Sequence, residues 1–295
     1  MKNIKILLTG GSGFLGRNIL EILGGKFDFL APSHDELNLL DSQKVFEYLK
    51  NNPVDLVIHA ANRGGSRLNK DTAEVTSENL RIFFNLVRAK DFFNRMITLG
   101  SGAEYDKSRD IVKIKEDNFD EEVPKDAYGF YKYICAKYAQ KADFITHLRL
   151  FGVYGKYEDY RVRFISNNLC KALLGLPLTM KQNVFFDYIY VNDFVKILEH
   201  FINQKPKNTF YNIGRGEPMD LKNIANQILE VTNKKLLIEV ANSGLGREYT
   251  CDLARFNKEI SLFKYTDLDV ALKEMSDYYL KLLPTLNRED FLKDV

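Results

Sequence analysis

Leu7-Leu8-Thr9-Gly10-Gly11-Ser12-Gly13-Phe14-Leu15-Gly16 is the stretch on which the fold of this chain turns. The apolar positions before it, Ile4, Ile6, Leu7 and Leu8, read as a short buried strand. Those after it, Phe14, Leu15, Ile19, Leu20 and Leu23, recur at the spacing of an amphipathic helix. Strand, glycine turn and helix start in that order predict a dinucleotide-binding βα unit. Glycines let the backbone turn tightly and approach a pyrophosphate, while the free N–H groups and positive end of the helix hold its charge. Two registers fit, Gly11-x-Gly13-x-x-Gly16 and Gly10-x-x-Gly13-x-x-Gly16, and an ordinary glycine-rich turn is the competing explanation.

Outward from that turn the same alternation repeats. Strands are expected over 27–31, 54–61, 96–99 and 144–151, and helices over 43–50, 73–89 and 127–139. Such alternation predicts an α/β, Rossmann-type doubly wound parallel sheet with helices on both faces. Past Gly155 the pattern loosens into helices over 162–174, 221–231 and 267–282 and a strand over 185–191. The expected division is a dinucleotide-binding domain of 1–155 plus about 183–203, and a smaller α/β substrate lobe of 156–182 and 204–295.

Composition narrows the function. The 295 residues are 45% apolar and 28% charged, ordinary globular values. The net charge of +2, from 42 basic and 40 acidic residues, argues against a nucleic-acid partner. No apolar run approaches the ~20 residues of a membrane helix. Met1-Lys2 leads directly into a strand, too brief for a signal-peptide core. Cys135, Cys170 and Cys251 are widely spaced, and His34, His59, His147 and His200 form no paired site. The expectation is a cytoplasmic, metal-free enzyme.

In open parallel sheets ligands gather beyond the carboxyl ends of the strands. Ser101 follows one such strand, and Tyr128 and Lys132 sit four apart, hence on one face of a helix. A phenol works as acid or base near neutral pH only if nearby positive charge favours its ionised form. A lysine ammonium and an oxidised nicotinamide supply such charge, and a serine hydroxyl would fix the reacting alcohol or ketone by hydrogen bonding. Alone, the pair also reads as a solvated helix face.

Eight motifs in chain order resemble the extended short-chain dehydrogenase/reductase family, the nucleotide-sugar epimerases, dehydratases and ketoreductases. They are Thr9 to Gly16, His59-Ala60-Ala61, Asn79, Ser101-x-x-x-Tyr105, Tyr128-Gly129-x-x-Lys132, Leu148-Arg149-x-Phe151-x-Val153-Tyr154-Gly155, Asp187-Tyr188-Ile189-Tyr190-Val191-Asn192-Asp193 and Tyr211-Asn212-Ile213-Gly214. The resemblance implies Ser101, Tyr128 and Lys132 as the catalytic set. It assigns the dinucleotide to Gly10, Ser12, Gly13, Phe14, Leu15, Gly16, His34, Leu40, Asp41, Ala60, Ala61, Asn79, Leu99, Tyr128, Lys132 and Phe151. It implies a nucleotide-diphosphate-sugar substrate held by Ser101, Gly102, Arg163 and Arg247, and a homodimer built through the helices around 73–89 and 127–141.

Departures from the family narrow the reaction. The resemblance implies that 4,6-dehydratases carry an Asp-Glu pair where this chain has Gly102-Ala103, and that decarboxylases need a glutamate at the Ala103 position, so both reactions are disfavoured. Glu104 is expected to point to the other face of the strand end. The run from His34 to Asp41, with Gly64-Gly65, resembles GDP-fucose synthases, but their epimerising cysteine is here Ala103. What remains is hydride transfer at one sugar carbon, expected to be carbon 4. A 4-keto-sugar reductase or 4-dehydrogenase is the leading expectation, and the length is closer to the compact reductases. A 4-epimerase with retained NAD is the alternative, and a non-catalytic dinucleotide-binding protein the outside one.

The acidic residue that holds the ribose of NAD is missing from Leu30-Ala31-Pro32-Ser33-His34, and no arginine marks NADP. Arg17 reads as a surface residue, so NAD is favoured over NADP. Asp41 resembles the adenine-contacting residue and also suits a helix cap. Arg247 resembles the family's pyrophosphate arginine. The second customary arginine is Phe186, with Arg161, Arg163 or Lys181 as stand-ins, and Gly152 replaces a substrate-contacting asparagine. Asp193 is expected to cap a helix beginning near Phe194. His59 reads as a packed strand-end residue, and His147 as a strand residue without a role.

Overall fold

The computed structural model describes residues 4–64 and 71–292, so Met1, Lys2 and Gly65 lie outside the described residues. Six parallel strands form the central sheet in the order Asp28–Leu30, Lys5–Thr9, Val54–His59, Phe93–Ser101, Ile145–Leu150, Phe210–Ile213. From Lys5–Thr9 the chain first steps outward to Asp28–Leu30 and then returns to the other side at Val54–His59. This reversal opens a crevice at the carboxyl end of the first strand, where the glycine turn begins.

Side chains of the first strand alternate between two cores. Ile6 and Leu8 pack with Ile19 and Leu23 of the helix Phe14–Leu23 and with Phe194 and Phe201 of Val191–Asn203. Leu7 packs on the opposite side with Val45 of Ser42–Asn51, Phe83 of Ala73–Arg88 and Cys135 of Ala127–Ala139. Covering both faces explains why this strand is a continuous apolar run rather than an alternating one.

A third core joins the helices Phe164–Leu173, Leu221–Val231 and Leu268–Leu282 beneath the parallel pair Leu178–Asn183 and Ile238–Leu245. Met219–Asp220, Phe185–Phe186, Tyr249–Cys251 and Ile111–Ile114 form a small four-stranded sheet that ties the segment after Ser101 to residues late in the chain.

Several expectations need correction. Phe210–Ile213, placed by sequence in the substrate lobe, pairs with Ile145–Leu150 as an edge of the main sheet. The strand expected over 185–191 is two short strands, Phe185–Phe186 and Tyr188–Tyr190, because Asp187 turns inward and Val191 already begins a helix. Asp193 therefore lies inside that helix, and its carboxylate accepts from Thr266 N and Thr266 Oγ1, both at 2.8 Å, instead of capping it. Ile238–Leu245 escaped the pattern because it is largely exposed and carries no buried face to read.

Candidate active site

The glycine turn decides the register. Gly10 has φ +75°, and a Cβ there would lie 2.6 Å from Ala61 N, so only glycine lets the turn press against Ala60-Ala61. A Cβ on Gly16 would lie 2.1 Å from Gly10 O. Gly16 is common to both registers, and the demand for glycine at 10 selects the wider one, Gly10-x-x-Gly13-x-x-Gly16. The helix Phe14–Leu23 begins after Gly13 with no side-chain cap and no acid in its first turn. Its terminal N–H groups thus meet no capping side chain, an arrangement that fits the diphosphate of a dinucleotide.

From this crevice a cavity of about 690 Å³ extends along the strand ends. Phe14, Leu15 and Ala60 line it together with Leu99, Ser101, Tyr128, Lys132, Phe151 and Arg163. Asp126 caps the helix Ala127–Ala139, its Oδ1 accepting from Gly129 N at 2.9 Å. The cap places Tyr128 in the first turn and Lys132 one turn later. Lys132 Nζ donates to Leu99 O at 2.6 Å, which pins the ammonium at the end of the strand bearing Ser101, 6.0 Å from the Tyr128 ring centre. His59 hydrogen-bonds Thr9 Oγ1 at 2.9 Å; burial, aided by the Lys132 charge, lowers its pKa to about 3 and keeps it neutral.

The backbone turns sharply after Ser101 into the short 3-10 helix Gly102–Tyr105. Glu104 stands outside the cavity lining. It is fully buried, its Oε2 accepting from Arg149 Nε at 2.6 Å and its Oε1 from Ser101 N at 2.8 Å. His147 Nε2 lies 3.0 Å from Oε1 and its Nδ1 2.7 Å from Thr98 Oγ1, which gives that strand residue a structural role. Burial pushes the Glu104 carboxyl up, but His147 and Arg149 outweigh it and bring it from 4.5 to about 2. With the folded value below the unfolded one, its stabilising contribution is complete above about pH 4.5 and is lost as pH falls toward 2. Thermal melting against pH is expected to fall through that window in the wild type and to be flatter in Glu104→Gln.

The other sequence candidates divide. Gly102 adjoins the cavity, where a Cβ would meet the Tyr249 hydroxyl at 2.4 Å. Asn79 is buried and spends its amide on backbone, Nδ2 donating to Arg63 O at 2.9 Å and Oδ1 accepting from Arg63 N at 2.9 Å, so it holds the loop after Ala61. Asp41 caps its helix through Gln43 N and Lys44 N. Leu40 is partly buried, while Ser12 and His34 are exposed; none of these lines the cavity. Arg17 stacks on Tyr157, its guanidinium 3.7 Å from the ring centre. Arg161 is held by Asp159 at 2.8 Å, and the exposed Lys181 and Arg247 also stand outside the cavity lining.

Sequence reasoning missed Lys107, Glu158 and Tyr249, all in the lining. Lys107 Nζ lies 5.5 Å from the Tyr128 ring centre, a second cation beside the phenol. None belongs to a recognisable motif, and each arrives from an irregular segment or a short strand.

Among the described residues, no group of three or more His, Cys, Asp and Glu could hold a metal ion, and no helix is long and apolar enough to cross a membrane. The profile of the NAD dependent epimerase/dehydratase family matches residues 6–214. The chain is 28% identical over 242 residues to GDP-L-colitose synthase of Yersinia pseudotuberculosis, covering 72% of this chain and 77% of that protein. To ADP-L-glycero-D-manno-heptose-6-epimerase of Brachyspira hyodysenteriae it is 25% identical over 265 residues, covering 77% and 80%. Its fold is similar to that of GDP-mannoheptose C4 reductase from Campylobacter jejuni with NADP bound, with a TM-score of 0.79 at 20% identity over 95% of this chain and 99% of that one. UDP-glucose 4-epimerase from Thermotoga maritima gives a TM-score of 0.80 at 19% identity over 95% and 100%. With strand order, glycine turn and profile in agreement, the chain belongs to the NAD-dependent epimerase/dehydratase family.

Proposed function

We propose that this chain is an NAD(P)-dependent oxidoreductase acting on a nucleotide-diphosphate sugar, transferring hydride at ring carbon 4 as a 4-keto-sugar reductase or 4-dehydrogenase. The observation that carries this reading is Lys132, pinned to Leu99 O beside Tyr128 in the cavity that Ser101 also enters. The bound nicotinamide supplies hydride chemistry. In the reducing direction Tyr128 gives its phenolic proton to the oxygen of the sugar carbonyl, and Ser101 hydrogen-bonds that oxygen. Lys132 stabilises the phenolate left behind and would hold the dinucleotide ribose. The helix start at Phe14 and Leu15 receives the cofactor diphosphate. Arg163, which lines the cavity, serves the substrate diphosphate, with Arg247 outside the lining as its auxiliary.

Support comes from the relatives' names, which include a dTDP-4-dehydro-6-deoxyglucose reductase and GDP-L-fucose synthases. Elimination of water is disfavoured because Gly102 and Ala103 offer no carboxylate and Glu104 is bound to Arg149. The likeness to a UDP-glucose 4-epimerase favours, as second reading, a 4-epimerase that keeps NAD and returns hydride to the opposite face. NAD is the cofactor we favour, since Arg17 is engaged by Tyr157.

Purified protein given GDP-, UDP-, dTDP- or CDP-linked 4-keto sugars with NADH or NADPH tests these readings. Loss of nicotinamide absorbance supports the reductase. Interconversion of two sugar alcohols without net cofactor change supports the epimerase. Dinucleotide binding with neither reaction overturns both and leaves a non-catalytic binder. Lys132→Ala is expected to weaken dinucleotide binding and to lower turnover by about 100-fold, measured by fluorescence titration and steady-state rates.

A further inference from the structure

His147 stands on the strand Ile145–Leu150, in register with Thr98 of the neighbouring strand Phe93–Ser101. Its ring reaches along that strand to Gly100, where a Cβ would lie 2.2 Å from His147 Nε2 and 2.4 Å from Glu104 Oε1. Glycine at 100 is therefore a steric condition for the imidazole and the carboxylate to meet at the strand end. They meet with Nε2 3.0 Å from Oε1, while Thr98 Oγ1, 2.7 Å from Nδ1, fixes the far side of the ring. A carboxylate only accepts hydrogen bonds, so Nε2 carries the proton of this contact. Thr98, Glu104 and His147 are all buried, so bulk water does not replace a lost partner.

Ser101 and Glu104 form a capping box at the turn Gly102–Tyr105. Ala103 N donates to Ser101 Oγ at 3.2 Å, and Ser101 N donates to Glu104 Oε1 at 2.8 Å. The first bond uses the serine oxygen as acceptor and does not spend its proton. Oε1 is thus shared between the serine backbone and His147, while Arg149 Nε holds Oε2 at 2.6 Å. We infer that His147 is a positioning residue for Ser101. Its Nε2–H sets the plane of the Glu104 carboxylate, which in turn holds the Ser101 N–H and with it the hydroxyl at the cavity wall. The inference rests on the reading of Ser101 as the hydrogen-bond partner of the reacting sugar oxygen. Without the imidazole the carboxylate is free to turn about its bond to Arg149, the serine backbone follows, and the lost alignment falls on the transition state.

Two substitutions test the role, with kcat, KM, dinucleotide affinity and melting temperature read for each. His147→Phe keeps a ring without a donor and is expected to lower kcat about tenfold, with KM and dinucleotide affinity near those of the wild type. His147→Gln keeps an amide donor in place of Nε2–H and is expected to retain most of the rate. In a Ser101→Ala background His147→Phe is expected to have no further effect on kcat. A lower melting temperature with kcat unchanged where the variant is folded assigns His147 to stability alone and overturns the role. Equal losses in His147→Phe and His147→Gln, or an equal loss with and without the serine hydroxyl, overturn it too, while the proposed reaction stands. Should His147→Phe not fold, Thr98→Val, which frees the ring from its other partner, is read by the same cycle. A kcat loss confined to the chain that keeps Ser101 is then expected, and an unchanged kcat overturns the role. Absence of turnover by the unaltered chain with every 4-keto sugar overturns the reaction and this role with it.

Discussion

Replacing Tyr128 by phenylalanine is expected to lower turnover by about 10²- to 10⁴-fold while dinucleotide affinity stays near that of the wild type. The phenol lines the cavity beside the pinned Lys132 ammonium, and in the proposed reaction it is the group that trades a proton with the sugar oxygen. Phenylalanine removes the oxygen and keeps the ring, so the edge contact with Tyr131, with ring centres 5.5 Å apart, survives. A loss of rate with unchanged melting temperature and unchanged cofactor titration separates a chemical role from a structural one. Near-wild-type turnover would remove Tyr128 from the mechanism. The Lys132→Ala variant then gives the contrast, because in the proposed mechanism its ammonium serves both ribose and phenol and both readouts should move.

The largest effect on stability is expected at Arg149. Its guanidinium is fully buried, donates to Glu104 Oε2 and to the Tyr105 hydroxyl, and lies 4.6 Å from the ring centres of both Tyr105 and Phe119. Arg149→Met leaves the Glu104 carboxylate buried beside His147 without its permanent cation. Breaking such a pair from one side costs about 3–5 kcal/mol, because the remaining charge stays desolvated. For a chain of this size that corresponds to a melting temperature lower by roughly 10 °C. The double variant Glu104→Gln with Arg149→Met is expected to recover part of the loss, since it removes the stranded charge. A double variant less stable than Arg149→Met would show that the carboxylate is held by other partners. Since Glu104 also accepts the Ser101 N–H, the single variant should lower activity below its unfolding temperature as well.

Much of the architecture was legible in sequence because it is encoded locally. The apolar run Ile6-Leu7-Leu8, the glycines at 10, 13 and 16 and the helical spacing from Phe14 each act over a few residues, and together they dictate a βα unit. Asp41 is a legible cap for the same reason, since a side chain and the backbone it caps are sequence neighbours. Tyr128 and Lys132 could be paired because helix geometry brings residues four apart together.

What the tertiary structure alone decided involves partners brought together by distant strands. Arg149, His147 and Glu104 read as separate strand and turn residues until parallel pairing sets Gly100 beside Arg149 and Thr98 beside His147. Tyr249 and Gly102 become steric complements only once Tyr249–Cys251 joins Ile111–Ile114 in the small sheet. Asp193 looked like a cap because its sequence position allows one, yet Thr266, seventy-odd residues on, offered its carboxylate two donors in the folded chain. Local spacing determines where a backbone turns and which face is apolar. Whether a buried polar group is satisfied, and by whom, depends on the register of strands far apart in the chain, and that register is set by the packing of the whole sheet.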